Sequence, residues 1–242
     1  SGVRTELSPN DHGMIARITY PENAQTPYIN ISDVSDLAFD TATQSFSGYK
    51  NKDSNQMPQM YIYGTFDQAF TVNGTSAVFG QGTKTVLMLI ATSFISKWKA
   101  KKNLELELNG EFDAVKAAAK KLWNDKLSQF EIEGASEEQR ITFYPNNMGE
   151  NTGNGSEGGW QYMSPYTEMV TDGKLYYNNG FWDTYRTTWA AYSLFTPEQN
   201  NELLLGLIHH FEDSGWMPRW IAPAGTNSMV GTSSDVIFAD AM

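Results

Sequence analysis

Thr85-Val86-Leu87-Met88-Leu89-Ile90-Ala91-Thr92-Ser93-Phe94 decides the reading of the first half of the chain. It is ten residues of β-branched, aliphatic and aromatic side chains with no charge, glycine or proline, a composition that fits a packed, pleated strand. Outward from it, Met60-Tyr61-Ile62-Tyr63-Gly64-Thr65-Phe66 has the same character. Tyr28-Ile29-Asn30-Ile31-Ser32 alternates cleanly between apolar and polar, and Met14-Ile15-Ala16-Arg17-Ile18-Thr19-Tyr20 does so over a few positions. Breakers separate these runs at Pro21-Glu22-Asn23, at Lys50-Asn51-Lys52-Asp53 and at Asn73-Gly74. Short strands with turn signals and no helical period between them predict an antiparallel β-sandwich, here in part, over residues 1–108.

The period changes near residue 110. Phe112, Val115, Ala119 and Trp123 fall on one face, while Lys116, Lys120 and Lys121 face away, which predicts a helix over 111–128. Ser136-Glu137-Glu138-Gln139 reads as a capping box that starts another, so 109–145 is expected to be linker helices. Pro145 cuts that second helix short, and a polar, Gly/Asn-rich loop is expected over 146–179. Trp182 to Leu194 then reads as one amphipathic helix. Thr196-Pro197-Glu198-Gln199 predicts the N-terminus of the next, with Leu203, Leu204, Leu207, Ile208 and Phe211 as its apolar stripe and Gly215 as its stop. Ser233 or Ser234 is expected to cap a last helix through Ala241. Met242 falls inside that pattern, so the chain is expected to be an internal piece of a longer one.

Composition narrows the function. The 242 residues are 40% hydrophobic with 32 aromatics, which excludes disorder as the main state. No run of 18 apolar residues exists, so no helical membrane span is expected. The absence of cysteine excludes disulfides, thiolate catalysis and cysteine-ligated zinc. Residues 1–142 carry 14 Lys+Arg against 17 Asp+Glu, a net of −3; residues 143–242 carry 3 against 11, a net of −8. Nucleic acid is therefore not an expected partner, because binding it takes a basic patch. The acidic last 100 residues also hold 17 of the 32 aromatics and five of the seven Trp. That suits neutral polyhydroxylated ligands or cations, and equally an ordinary acidic surface over an aromatic core.

Two patterns carry little. Gly153-Asn154-Gly155-Ser156-Glu157-Gly158 matches a dinucleotide fingerprint but lacks the strand before it and the helix after it that the chemistry requires. His209-His210 are adjacent on a helix, so their side chains diverge by about 100° and do not pair on one metal; one is expected to pack and the other to be solvated.

The dense cluster is Gly180-Phe181-Trp182-Asp183-Thr184-Tyr185-Arg186, followed by Trp189. One reading is a sugar platform. Trp182 would offer its face to the C–H side of a pyranose, Asp183 would accept bonds from two hydroxyls, and Arg186 would orient the carboxylate or donate to a ring oxygen. The other is an Asp183–Arg186 ion pair beside core tryptophans.

Gly180-Phe181-Trp182-Asp183-Thr184-Tyr185-Arg186-Thr187, then Gly215-Trp216-Met217-Pro218-Arg219-Trp220, then Met229-Val230-Gly231-Thr232-Ser233-Ser234-Asp235-Val236-Ile237-Phe238-Ala239-Asp240-Ala241 resemble successive motifs of glycoside hydrolase family 92. Ser93-Phe94-Ile95-Ser96, Ala100-Lys101-Lys102-Asn103-Leu104 and Ser136-Glu137-Glu138-Gln139-Arg140 are similar to its linker region in the same order. The resemblance implies an exo-acting, inverting α-mannosidase with a calcium ion, built as a β-sandwich, linker helices and an (α/α)6 catalytic barrel. Residues 146–242 would be the start of that barrel, incomplete here. The partners implied are a mannose-containing glycan and the remainder of the same enzyme, and the expected location is extracellular or periplasmic. On the family pattern Trp182, Asp183 and Arg186 belong to the sugar-binding wall, with Asp235 a further candidate. The family's acid and base segments, Asn-Glu-Pro-like and Gly-Asn-Asp-like, do not occur, so no catalytic residue or calcium ligand is assigned. The alternatives are a non-catalytic carbohydrate-binding or scaffold protein, or another (α/α)6 glycosidase.

Overall fold

The computed structural model describes residues 2–52, 59–108, 111–128, 155–156, 159–176, 179–222 and 224–242. Its first half is two antiparallel sheets. Strands β1 (Arg4–Pro9), β2 (Gly13–Thr19), β4 (Ser35–Asp40), β5 (Ser45–Lys50), β6 (Met60–Phe66) and β9 (Thr85–Ser93) form one of six strands in the order β1-β2-β9-β6-β5-β4. Strands β3 (Tyr28–Asn30), β7 (Phe70–Asn73) and β8 (Ser76–Phe79) form a second in the order β3-β8-β7.

Side-chain alternation puts a core on each face of the large sheet. Ala16 and Ile18 from β2, Ile62 and Phe66 from β6, and Val86 from β9 pack against Phe70, Ala77 and Phe79 of the small sheet. Ile15, Leu87, Leu89 and Ala91 point the other way, onto Leu104, Leu108 and Phe112. A one-residue slip of β9 would exchange the two sets, so burial on both faces fixes its register. The ten-residue run reads as continuously apolar for this reason: both of its faces are covered. Phe46 lies across from Gly64, where a β-carbon would come within 2.3 Å of the ring, so the missing side chain makes room for the Phe46 ring.

What covers the second face is helix. Helix α1 (Lys97–Glu107) begins at Ser96, whose hydroxyl accepts from the Lys99 amide at 3.1 Å, and α2 (Phe112–Leu127) follows. The expected helix over 111–128 is present, but the helical sequence already starts at Lys97, inside the region read as strand. Leu104-Glu105-Leu106-Glu107-Leu108 alternates like a strand; Ala100, Leu104 and Leu108, spaced by four, are what packs. Glu107 ties the end of α1 to the β1–β2 turn: it accepts from the His12 amide and from Asn10 Nδ2, each at 3.0 Å, and pairs with the His12 ring.

The segment expected as loop over 146–179 holds short strands at Gly155–Ser156, Gly159–Met163 and Val170–Asp172, paired antiparallel. The capping box at Ser136 and Pro145 lie outside the described residues, as does the glycine pattern apart from Gly155 and Ser156. Next come helices Phe181–Thr184, Thr188–Phe195, Pro197–Ser214 and Ser233–Asp240. Phe181, Trp189, Leu203, Leu204, Leu207, Ile221 and Ile237 share one core, and Phe94 at the end of the last sandwich strand packs against it. Pro197 at the first turn and Gly215 in the left-handed region (φ 72°) bound the long helix as expected. Thr196 does not cap it, however; its hydroxyl donates back to Tyr192 O at 3.4 Å. The last helix starts after Thr232 rather than at a Ser233 or Ser234 cap. Among the described residues no helix is long and apolar enough to cross a membrane.

Candidate functional site

Trp182 to Leu194 is not one helix. It breaks at Tyr185-Arg186-Thr187, and the physical reason is the hydroxyl of Thr184. Its Oγ1 lies 2.9 Å from Asn179 Oδ1 and 3.1 Å from Gly180 O, which share its proton, and it accepts from Trp189 Nε1 at 3.1 Å. A threonine bonded back to the carbonyl four residues earlier, followed by two more threonines, weakens helix continuation. The break separates the tryptophans. Trp189 is only 2% exposed and belongs to the core, whereas Trp182 is 37% exposed. The expected neighbouring of Trp182, Arg186 and Trp189 on adjacent faces therefore fails for Trp189.

What surrounds Trp182 is a small polar and aromatic surface. The Arg186 guanidinium lies 4.8 Å from the ring centroids of both Trp182 and Tyr185. No Asp183–Arg186 ion pair forms; among the described residues neither charged group has a salt-bridge or hydrogen-bond partner, and both are exposed. The bland reading of the cluster as an ion pair is thus overturned. Asp183 turns instead toward Gly180. A β-carbon on Gly180 would come within 2.9 Å of Asp183 Oδ2 and 2.6 Å of the Trp220 ring, so the bare glycine lets carboxylate and indole close on the same backbone point. Gly180 pairs with Trp220 in a three-stranded ladder, Asn179–Gly180 against Trp220–Ile221 against Gly225–Thr226, which fixes that approach.

Gly180 has an ordinary φ of −100°, so the demand for glycine is steric. Gly180→Ala is expected to cost about 2 kcal/mol of stability through overpacking and to change the fluorescence contributed by Trp220. Denaturant unfolding followed by tryptophan emission measures both.

Asp235 sits in the first turn of the Ser233–Asp240 helix, which packs against the Phe181–Thr184 and Thr188–Phe195 helices. Its carboxylate is exposed, and among the described residues it makes no hydrogen bond or ion pair with Trp182, Asp183 or Arg186. Trp220, quoted only in the Gly215–Trp220 motif, joins Gly180 of the cluster through a two-residue strand. Among the described residues no three Asp, Glu or His side chains converge as a cation site would require.

The histidine pair is divided as expected. His209 is partly exposed beside Glu212, at 3.1 Å. His210 is fully buried, and burial pushes its pKa down to about 4, so it is neutral at pH 7. Its ring lies between Tyr176 O at 2.9 Å and Tyr166 Oη at 2.8 Å. Tyr162 donates to Asp213 at 3.1 Å, so the hairpin Gly159–Asp172 is pinned to the long helix at two points.

No curated protein sequence matches the chain. Among solved structures, the family GH92 inverting mannosidase BT2199 from Bacteroides thetaiotaomicron VPI-5482 superposes with a TM-score of 0.89 at 25% identity, covering 99% of this chain and 37% of that one. The family GH92 α-mannosidase BT3965 from Bacteroides thetaiotaomicron, in complex with mannoimidazole, gives 0.81 at 19% identity over 98% and 37%. The chain thus spans somewhat more than a third of the length of these relatives. The family model described as the glycosyl hydrolase family 92 catalytic domain matches residues 99–242, which takes in α1 from Lys99 onward, α2 and every side chain of the Trp182 cluster. Over half the chain carries that match, and the chain belongs to glycosyl hydrolase family 92.

Proposed function

We propose that the protein is an exo-acting α-mannosidase that removes terminal α-linked mannose from glycans with inversion, and that this chain contributes part of its sugar-binding wall. The observation that carries the reading is the unpaired Asp183 carboxylate, held at Gly180 against the Trp220 ring and next to the exposed Trp182 with its stacked Arg186. A few unpaired polar groups set among aromatic faces are what orients a polyhydroxylated ligand. In this proposal Trp182 covers the C–H face of a pyranose, Asp183 accepts from two hydroxyls, and Arg186 donates to a ring or glycosidic oxygen. BT2199, at 25% identity, is an inverting mannosidase, which supports inversion here. Inversion calls for an acid and a base about 6.5–9.5 Å apart with water between; both, and a calcium ion, are assigned to residues beyond those described.

Exposed Leu194, Phe195, Leu205 and Phe211 support the reading that further helices of an (α/α)6 barrel cover these faces. A glycan substrate goes with an extracellular or periplasmic location.

The test is titration of the protein with mannoimidazole. Asp183→Asn is expected to weaken binding about tenfold, the scale of one hydrogen bond to a charged group, and Trp182→Ala to do the same with little change in stability. Cleavage of a different glycoside, with α-mannosides left intact in the presence of calcium, would sink the substrate assignment. Tight binding without hydrolysis by the complete protein would favour a carbohydrate-binding role.

A further inference from the structure

A line of hydrogen bonds, buried at the long helix and part-buried beyond it, runs from that helix to the hairpin that carries Trp220. It starts at His210, which is 0% exposed. A carbonyl oxygen only accepts, so Nε2, 2.9 Å from Tyr176 O, carries the ring proton. The neutral ring then leaves Nδ1 as an acceptor, and the Tyr166 hydroxyl, 2.8 Å away, donates to it. The same phenol oxygen accepts from the Gly225 amide at 2.5 Å. Each group has one role left once the first is fixed, so the direction of every bond in the line follows from Tyr176.

Both ends are anchored. Tyr166 is turned toward the helix by Ser164, which is 0% exposed and whose Oγ accepts from the amides of Tyr166 and Thr167 at 3.4 and 3.3 Å. A β-carbon on Gly225 would come within 2.9 Å of Tyr166 Oη and 2.8 Å of Pro218 Cβ, so the phenol meets bare backbone. Gly225 pairs with Ile221 and Thr226 with Trp220, and Trp220 pairs with Gly180 beside Asp183. None of these bonds touches the sugar-facing side chains themselves.

We infer that His210 and Tyr166 are positioning residues: through the Gly225 amide they hold the 220–226 hairpin so that the Trp220 ring stays closed against Gly180 and Asp183. The consequence for ligand binding rests on the sugar-binding reading of that cluster; the positioning itself does not. Loss of the phenol leaves two groups without their partner, the partly buried Gly225 N–H and the buried His210 Nδ1, and the hairpin must move to hydrate the amide. Neutral His210 suits this arrangement. Burial opposes its protonation, the nearby His209 works in the same direction, and Asp213 works against it.

The experiment uses protein labelled with fluorotryptophan, with the Trp220 resonance identified by Trp220→Phe. In Tyr166→Phe the Trp220 fluorine signal is expected to shift and broaden while that of core Trp189 stays in place. His210→Gln is expected to move the same signal, and the double variant to move it no further than either single one, as for residues acting through one line. Mannoimidazole affinity should fall about tenfold in Tyr166→Phe, the scale of one buried donor left unpaired. A fall in thermal stability with Trp220 unmoved, or with Trp189 displaced equally, would overturn the inference in favour of a general structural role. If the unaltered protein fails to bind mannoimidazole, the sugar-binding reading fails, and the fluorine spectra still decide the positioning.

Discussion

Phe181→Ala is expected to destabilise the protein by about 3–5 kcal/mol, the range for removing a buried aromatic ring. Phe181 is 0% exposed, and its ring centroid lies 6.2 Å from that of Trp189. It packs with Leu203 and Leu207 of the long helix, Ile221 of the Trp220 hairpin and Ile237 of the last helix. A small crevice already exists between Phe181, Tyr176, Asn179, Trp189, Leu203, Leu207 and Ile221. Truncation enlarges that space, and neighbours on three separate elements cannot all close on it, so the cost belongs at the high end of the range. Trp182, one residue on, faces solvent. Its truncation removes contact with ligand and with Arg186 but little core. Phe181→Ala and Trp182→Ala should therefore separate cleanly in urea unfolding and in ligand titration. A Phe181→Ala midpoint within about 1 kcal/mol of the unaltered protein would show that this core does not bear on folding as its burial implies.

The sandwich was readable where strands are covered on both faces, because apolar content alone then marks them. Thr85–Ser93 and Met60–Phe66 are of this kind. The strands at Arg4–Pro9 and Ser45–Lys50 carry more polar residues and turn chemistry, and their place comes from pairing with β2 and β6. Tertiary context likewise decides α1: Leu104 to Leu108 supports either period, and the face of the sheet that needs covering selects the helical one. The loop expected over 146–179 contained alternation at Trp160-Gln161-Tyr162-Met163, but four residues are too short a signal among glycines. At the site, the residue types were legible and the grouping was not. Trp182 and Arg186 stack and Asp183 turns toward Gly180, while Trp189 leaves because Thr184 bends the backbone and bonds its indole, and Trp220 enters through a two-residue strand that no periodicity marks. A buried His–Tyr–amide line is equally silent in sequence, since it joins residues 166, 210 and 225 through single side chains.

The second large effect is one of pH. His210 contributes stability that is present in full above about pH 6.5, the ordinary pKa of an unfolded histidine, and lost as the pH falls toward about 4, its value in the folded protein. In that window the unfolded chain takes up a proton that the folded protein refuses, so unfolding becomes easier with acid. Burial is the first cause of the low value, and the bond from Nε2–H to Tyr176 O opposes it only in part. The full loss is about 3 kcal/mol, from about 1.4 kcal/mol per unit, and it arrives before most carboxylates matter. Glu202 is held low by its bond with Lys174 and Asp40 by its bonds with Thr43, so their contributions are lost below the ordinary carboxylate range. Protonation would also give Nδ1 a hydrogen facing the phenol oxygen that already accepts from Gly225, so Tyr166 could no longer donate to the ring and its own proton would have to turn away from it. Acid should therefore loosen the Trp220 hairpin ahead of global unfolding. Urea unfolding between pH 7 and 4.5, with His210→Gln as the reference, measures the first effect: the slope of stability with pH should flatten in the variant. The Trp220 fluorine signal over the same range measures the second. An identical pH slope in both proteins would remove His210 as the source, because a group that is no longer present cannot take up the proton.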